Sequence, residues 1–168
     1  MGDRREVHAM RGRPLQIVVG VDGSEPSRRA LEWAVIEALK WNAELTVVHA
    51  WRFGSSPTDP LVPQEAIRRV GAAAQHLLDH ELAIACDRGT HATGSLVFAT
   101  PARALIDASV DADLLVVGSR GRGAVSGALL GSVSQACVRH AHCPVVVVPE
   151  AKPTVAPVAK SHAVPADR

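Results

Sequence analysis

The chain has 168 residues, 47% of them hydrophobic but only 3% aromatic, and a formal net charge of +1. That length suits one domain with a core of Ala, Val, Leu and Ile, and the near-neutral balance excludes bulk attraction to nucleic acid or an anionic membrane surface. No apolar run approaches the ~20 residues of a membrane-spanning helix, no apolar stretch follows Arg4, Arg5, Arg11 and Arg13 as a secretory signal requires, and three cysteines without a C-x-x-C fit a reducing cytoplasm.

Residues 1–14 are basic and unpatterned and read as a disordered arm. Ile17-Val18-Val19-Gly20-Val21 is a continuous apolar run, as a central parallel strand requires. Ser24 is a good helix N-cap and Pro26 suits a first turn. Ala30, Leu31, Ala34, Val35, Ala38 and Leu39 then recur at helical spacing to about Trp41. Asp22 thus lies just past the carboxyl end of a central strand. There it either accepts hydrogen bonds from ligand hydroxyls or only organises the turn, as Asp often does.

Leu45 to Ala50 reads as the second strand, and His49 near its end as a structural, hydrogen-bonded histidine. Trp51 to Leu61 is rich in Gly, Ser and Pro and reads as a loop, with Trp51 or Phe53 able to cover a ligand. Pro63 opens a helix that runs to about Asp87, with Gly89 as the residue beyond its end. His91 to Phe98 holds the third strand, and Thr100-Pro101 caps a short helix with Ala104, Leu105 and Ala108.

Leu114-Leu115-Val116-Val117 is the fourth strand, and Val133, Ala136, Cys137, His140 and Ala141 have the spacing of a last helix. Between them lies a glycine-rich stretch from Gly118 to Ser134. Glycines let backbone amides approach a ligand closely, and the N–H groups that open a helix lack intrahelical partners. Such an end binds phosphate. Ser132 and Ser134 add hydroxyls, and Arg120 and Arg122 add charge. The stretch has no lysine and no G-x-x-x-x-G-K-[ST] spacing, so it is not a P-loop. Cys137, His140, His142 and Cys143 are potential zinc ligands, but their spacing matches no usual finger and Cys137 falls on the inward face.

Val145-Val146-Val147-Val148 reads as a fifth strand, stopped by Pro149 and placed at a sheet edge. An apolar edge is an aggregation hazard unless paired, so a homodimer through Val145–Val148 is expected. Residues 150–168 read as a disordered tail. Alternating strands and helices predict an α/β domain over 15–149: a doubly wound, five-stranded parallel sheet with helices on both faces. Its ligand belongs at the switch point near strands one and four.

Gly118-x-x-Gly121, nine residues, then Gly131-Ser132 resembles the nucleotide-binding motif G-x-x-G-(nine)-G-S/T of the universal stress proteins. Ile17-Val18-Val19-Gly20-Val21-Asp22-Gly23-Ser24-Glu25 resembles that family's first strand, and Cys143 to Pro149 its last. The resemblance implies ATP as ligand, with Mg²⁺ or Mn²⁺ carried on it. Asp22 would bind the ribose hydroxyls. Ala50 would pack against adenine, with Gly20 and Val21 beside it. Gly118 and Gly121 would accommodate the triphosphate, and Gly131, Ser132, Val133 and Ser134 would donate to its oxygens. It also implies a cytoplasmic dimer that regulates stress or dormancy. Ala99-Thr100-Pro101 departs from a commoner Gly-x-Pro.

The alternative is a slow ATPase or another enzyme on adenine nucleotides, cyclic ones included. Phosphoryl transfer needs a positioned nucleophile, metal ligands and charge stabilisers. The stretch offers neither lysine nor an acidic metal pair, so binding is expected rather than turnover.

Overall fold

A computed structural model describes residues 13–53, 63–122 and 130–150. Most of the arm, most of the loop after Trp51, residues 123–129 of the glycine-rich stretch and nearly all of the tail lie outside the described residues. Strands and helices alternate in the order β1 (Gln16–Gly20), α1 (Glu25–Trp41), β2 (Glu44–Trp51), α2 (Gln64–Asp87), β3 (Ala92–Phe98), α3 (Pro101–Ala108), β4 (Leu114–Gly118), α4 (Ser132–His140) and β5 (Val145–Val148). The strands form one parallel sheet in the order β3-β2-β1-β4-β5. The expected doubly wound α/β fold is therefore present, with the switch point between β1 and β4.

Strand alternation sorts the core into two layers. Ile17, Val19, Leu45, Val47 and Val116 face α1 and α2, where they meet Leu31, Ala34, Val35 and Leu78. Val18, Val48, Leu115 and Val117 face the other side and pack with Leu105 of α3 and Cys137 of α4. Full burial of Leu31, Leu45 and Leu115 contributes roughly 2–3 kcal/mol each before chain entropy is counted.

The caps follow the local chemistry. Ser24 has extended φ/ψ and accepts from Ser27 N–H, and Pro26 sits in the first turn of α1. Helix α1 ends at Asn42, in the left-handed region at φ 49°, which Asn tolerates better than most residues. Thr100 caps α3 in the manner of Ser24.

Several boundaries differ from the sequence reading. Strand β1 ends at Gly20, although Val21 N–H still reaches the Val48 carbonyl at 2.9 Å. Strand β2 runs on to Trp51, whose ring meets Phe98 edge-on at 4.9 Å. Arg13, at the end of the expected arm, pairs with Asp113 at 3.1 Å.

Gly118 shows why the end of β4 needs a glycine. A Cβ there would lie 2.7 Å from the backbone of Pro26. The first turn of α1 rests on this residue, so the missing side chain brings helix and strand together.

Strand β5 is an edge. The carbonyls of Pro144 and Val148 accept from Leu115 and Ser119 of the β4 segment. By parallel alternation the backbone of Val146 also faces β4, and the N–H and C=O groups of Val145 and Val147 face outward.

Candidate functional site

The carboxyl ends of β1, β2 and β4 open into a cleft of about 630 Å³, a size typical of small-molecule sites. Every residue that the resemblance assigns to the nucleotide lines it, namely Gly20, Val21, Asp22, Ala50, Gly118, Gly121, Gly131, Ser132, Val133 and Ser134, as does Trp51 but not Phe53. The sheet brings them together because strands β1 and β4 are neighbours and part company here.

One end of the cleft is the first turn of α4. Ser134 Oγ–H lies 2.7 Å from the Gly118 carbonyl and 3.1 Å from that of Ser119. Gly131 N–H donates to the Ser119 carbonyl at 2.7 Å. These bonds pin the helix start to the strand end. They also engage the Gly131 amide and the Ser134 hydroxyl, two of the expected phosphate donors, with the protein's own backbone. Among the described residues, no hydrogen bond uses the N–H groups of Ser132, Val133 or Ser134. Those amides remain as donors at a positive helix end.

Asp22 lines the same cleft, just past the end of β1. Its Oδ1 accepts from Ser24 N–H at 2.9 Å and from Ser24 Oγ–H at 2.5 Å. Its Oδ2 accepts from Arg122 N–H at 3.0 Å. So Asp22 does organise the turn, and it also anchors the start of the glycine-rich stretch. Gly121 is packed over it: a Cβ on Gly121 would lie 2.5 Å from Asp22 Oδ2. Burial raises the Asp22 carboxyl, but the hydrogen bonds from Ser24 and Arg122 outweigh it and hold the group below its ordinary 3.8. Each carboxylate oxygen has two acceptor positions, so the carboxylate can still take a ligand hydroxyl.

The floor and walls are mainly apolar. Val21, Val48, Ala50 and Val117 come from the strands, and Leu105 from α3. Val70, Ala73, Ala74 and Leu77 of α2 form a further wall, which the sequence reading did not assign to the site. Trp51 is placed by contact as well as by sequence: its ring packs over Gly71, where a Cβ would be 3.2 Å away. His49 Nδ1 lies 2.8 Å from the Val21 carbonyl. A carbonyl only accepts, so Nδ1 carries the proton, and the histidine is structural as expected.

Cys137 is fully buried and its thiol is pushed up to about 11 by that burial. It is a packing residue of α4 and stays protonated near neutral pH.

A family model described as the universal stress protein family matches residues 15–149. The chain belongs to the universal stress protein family. A universal stress protein of Mycobacterium tuberculosis is 38% identical over 165 residues, which cover 86% of this chain and 52% of the relative. The chain therefore spans about half the length of the curated relatives it matches. Among solved universal stress proteins, one in complex with cAMP is 31% identical, with a TM-score of 0.61 over 80% of this chain and 97% of that one. Another, from Archaeoglobus fulgidus in complex with dAMP, is 25% identical, with a TM-score of 0.60 over 80% of this chain and 97% of that one.

The Asp22 contacts give a signed pH dependence. A carboxyl held low in the folded state stabilises it above the unfolded pKa, and that contribution is lost as pH falls through the folded value. Wild type should be more stable than Asp22→Asn at neutral pH, and the gap should close below about pH 4. Thermal denaturation across that range checks this; a gap that does not change with pH contradicts it.

Proposed function

We propose that this protein binds an adenine nucleotide, ATP as its glycine motif implies, and acts as a nucleotide-dependent regulator of stress or dormancy in the cytoplasm. The observation that carries this reading is the placement of the Ser132, Val133 and Ser134 amides, without partners among the described residues, in one cleft with the Asp22 carboxylate. Phosphates belong at the amides, where the helix end is positive. Ribose hydroxyls belong at Asp22, which would repel a phosphate. Val21, Val48 and Ala50, at the carboxyl ends of β1 and β2, give the cleft apolar lining that suits the flat face of a base. Relatives solved with cAMP and dAMP support the adenine nucleotide class.

Binding is better supported than turnover. Among the described residues that line the cleft, Asp22 is the sole carboxylate and lysine is absent. No group of three or more His, Cys, Asp or Glu among the described residues is gathered to hold a metal. Mg²⁺ or Mn²⁺ would therefore be held chiefly by the phosphates themselves.

Nucleotide binding should raise the melting temperature, by the equivalent of about 2.7 kcal/mol at a hundredfold excess over Kd. Ser132 is the first residue of α4 and follows Gly131 at φ −74°, ψ 164°. That geometry accepts a proline at the next position. Ser132→Pro should remove one phosphate donor without breaking the helix, weakening ATP roughly tenfold or more. Ser132→Ala, which keeps the amide, should weaken it less. No thermal shift at millimolar ATP in the wild type contradicts the reading.

We also propose a homodimer through the outward-facing backbone of β5. Val147→Pro would remove an N–H that β4 does not use, a position where an edge strand tolerates proline. Wild type should sediment as a dimer and Val147→Pro as a folded monomer; a variant that remains dimeric rules out this edge.

A further inference from the structure

Arg120 and Glu150 form an ion pair. Arg120 Nη2 donates to Glu150 Oε2. Arg120 lines the cleft, and its Cα lies only 3.4 Å from where a Cβ on Gly131 would be. Its backbone therefore rests on the N-cap of α4. Glu150 stands two residues beyond the end of β5. The Val148 carbonyl accepts from Ser119 N–H at 2.8 Å, which holds the two chain segments side by side. The second arginine of the stretch is elsewhere: its Nη2 lies 2.8 Å from where a Cβ on Gly23 would be, at the Asp22 side. So a carboxylate occupies the guanidinium of a cleft-lining arginine whose backbone abuts the N-cap of α4.

We infer that Glu150 is a charge gate on the nucleotide site: it competes with the ligand's phosphates for Arg120 and so sets how the cleft ranks adenine ligands by phosphate charge. The inference deepens the adenine-nucleotide reading and rests on it. A polyphosphate that reaches Ser132–Ser134 meets Glu150 in one of two states. If the ion pair holds, the carboxylate repels the phosphates. If the pair opens, Arg120 turns to the phosphates and loses Glu150. Either route weakens binding in proportion to phosphate charge and leaves an uncharged nucleoside unaffected. Linkage is reciprocal: what loosens Glu150 favours ATP, and ATP loosens Glu150, the first step of the chain beyond Pro149. The side chains are 31% and 45% exposed, so the gate is modest, about two- to fivefold, as for other partly exposed pairs.

Calorimetric titration of the full chain with adenosine, AMP and ATP at low salt tests it. Glu150→Gln keeps the shape and removes the charge. It should tighten ATP about two- to fivefold, AMP by less, and leave adenosine unchanged. In an Arg120→Gln background the Glu150→Gln gain on ATP should shrink. Equal tightening of all three ligands, or no change for ATP, overturns the gate and leaves the nucleotide reading standing. Binding of none of the three by either protein overturns that reading, and the gate with it.

Discussion

The site depends on how the end of β4 is fastened to the start of α4. Ser134 Oγ–H reaches back to the carbonyls of Gly118 and Ser119, and Gly131 N–H reaches the Ser119 carbonyl. These contacts are buried and satisfy groups that would otherwise be orphaned. They fix the first turn of α4 so that the next donors, from Ser132 to Ser134, are left over by geometry. A loosely tethered helix start would turn those amides toward whatever carbonyl was nearest. Here they stay unspent among the described residues and define one end of the cleft.

A matching constraint operates at the end of β1. Asp22 is fixed by Ser24 in its own turn and by Arg122 of the glycine-rich stretch. Gly118 lets the first turn of α1 sit against β4, and Gly121 lets the stretch pass over the Asp22 carboxylate. At both glycines a side chain would meet protein: the Pro26 backbone at Gly118 and the Asp22 carboxylate at Gly121. The cleft is thus preorganised by contacts between β1, β4 and the first turns of α1 and α4.

Much of this was legible in the sequence. Parallel strands covered on both faces must be apolar without interruption, so Ile17–Val19, Leu115–Val117 and Val145–Val148 stood out. The caps at Ser24 and Thr100 were readable because N-cap chemistry is local. The cleft-lining positions were readable through the glycine spacing and the family it resembles. What escaped depends on side-chain direction across long sequence separations. Nothing in the spacing tells whether Ser134 turns its hydroxyl to a ligand or to Gly118, nor that Arg120 meets Glu150. Glu81 escaped too: it falls between Leu78 and Ala85 on the apolar face of α2 and is buried, with Oε1 3.4 Å from Arg28 Nε. The period marked that position as inward, and its charge argued otherwise.

The central claim is that a nucleotide phosphate is held by the amides that open α4. Amide-resolved NMR during titration with ATP tests it most directly. The account predicts that the N–H signals of Ser132, Val133 and Ser134 move strongly downfield as they bond to phosphate, while that of Gly131, already bonded to Ser119, moves much less. Saturable ATP binding with those signals unmoved, and the largest changes elsewhere in the chain, would contradict it.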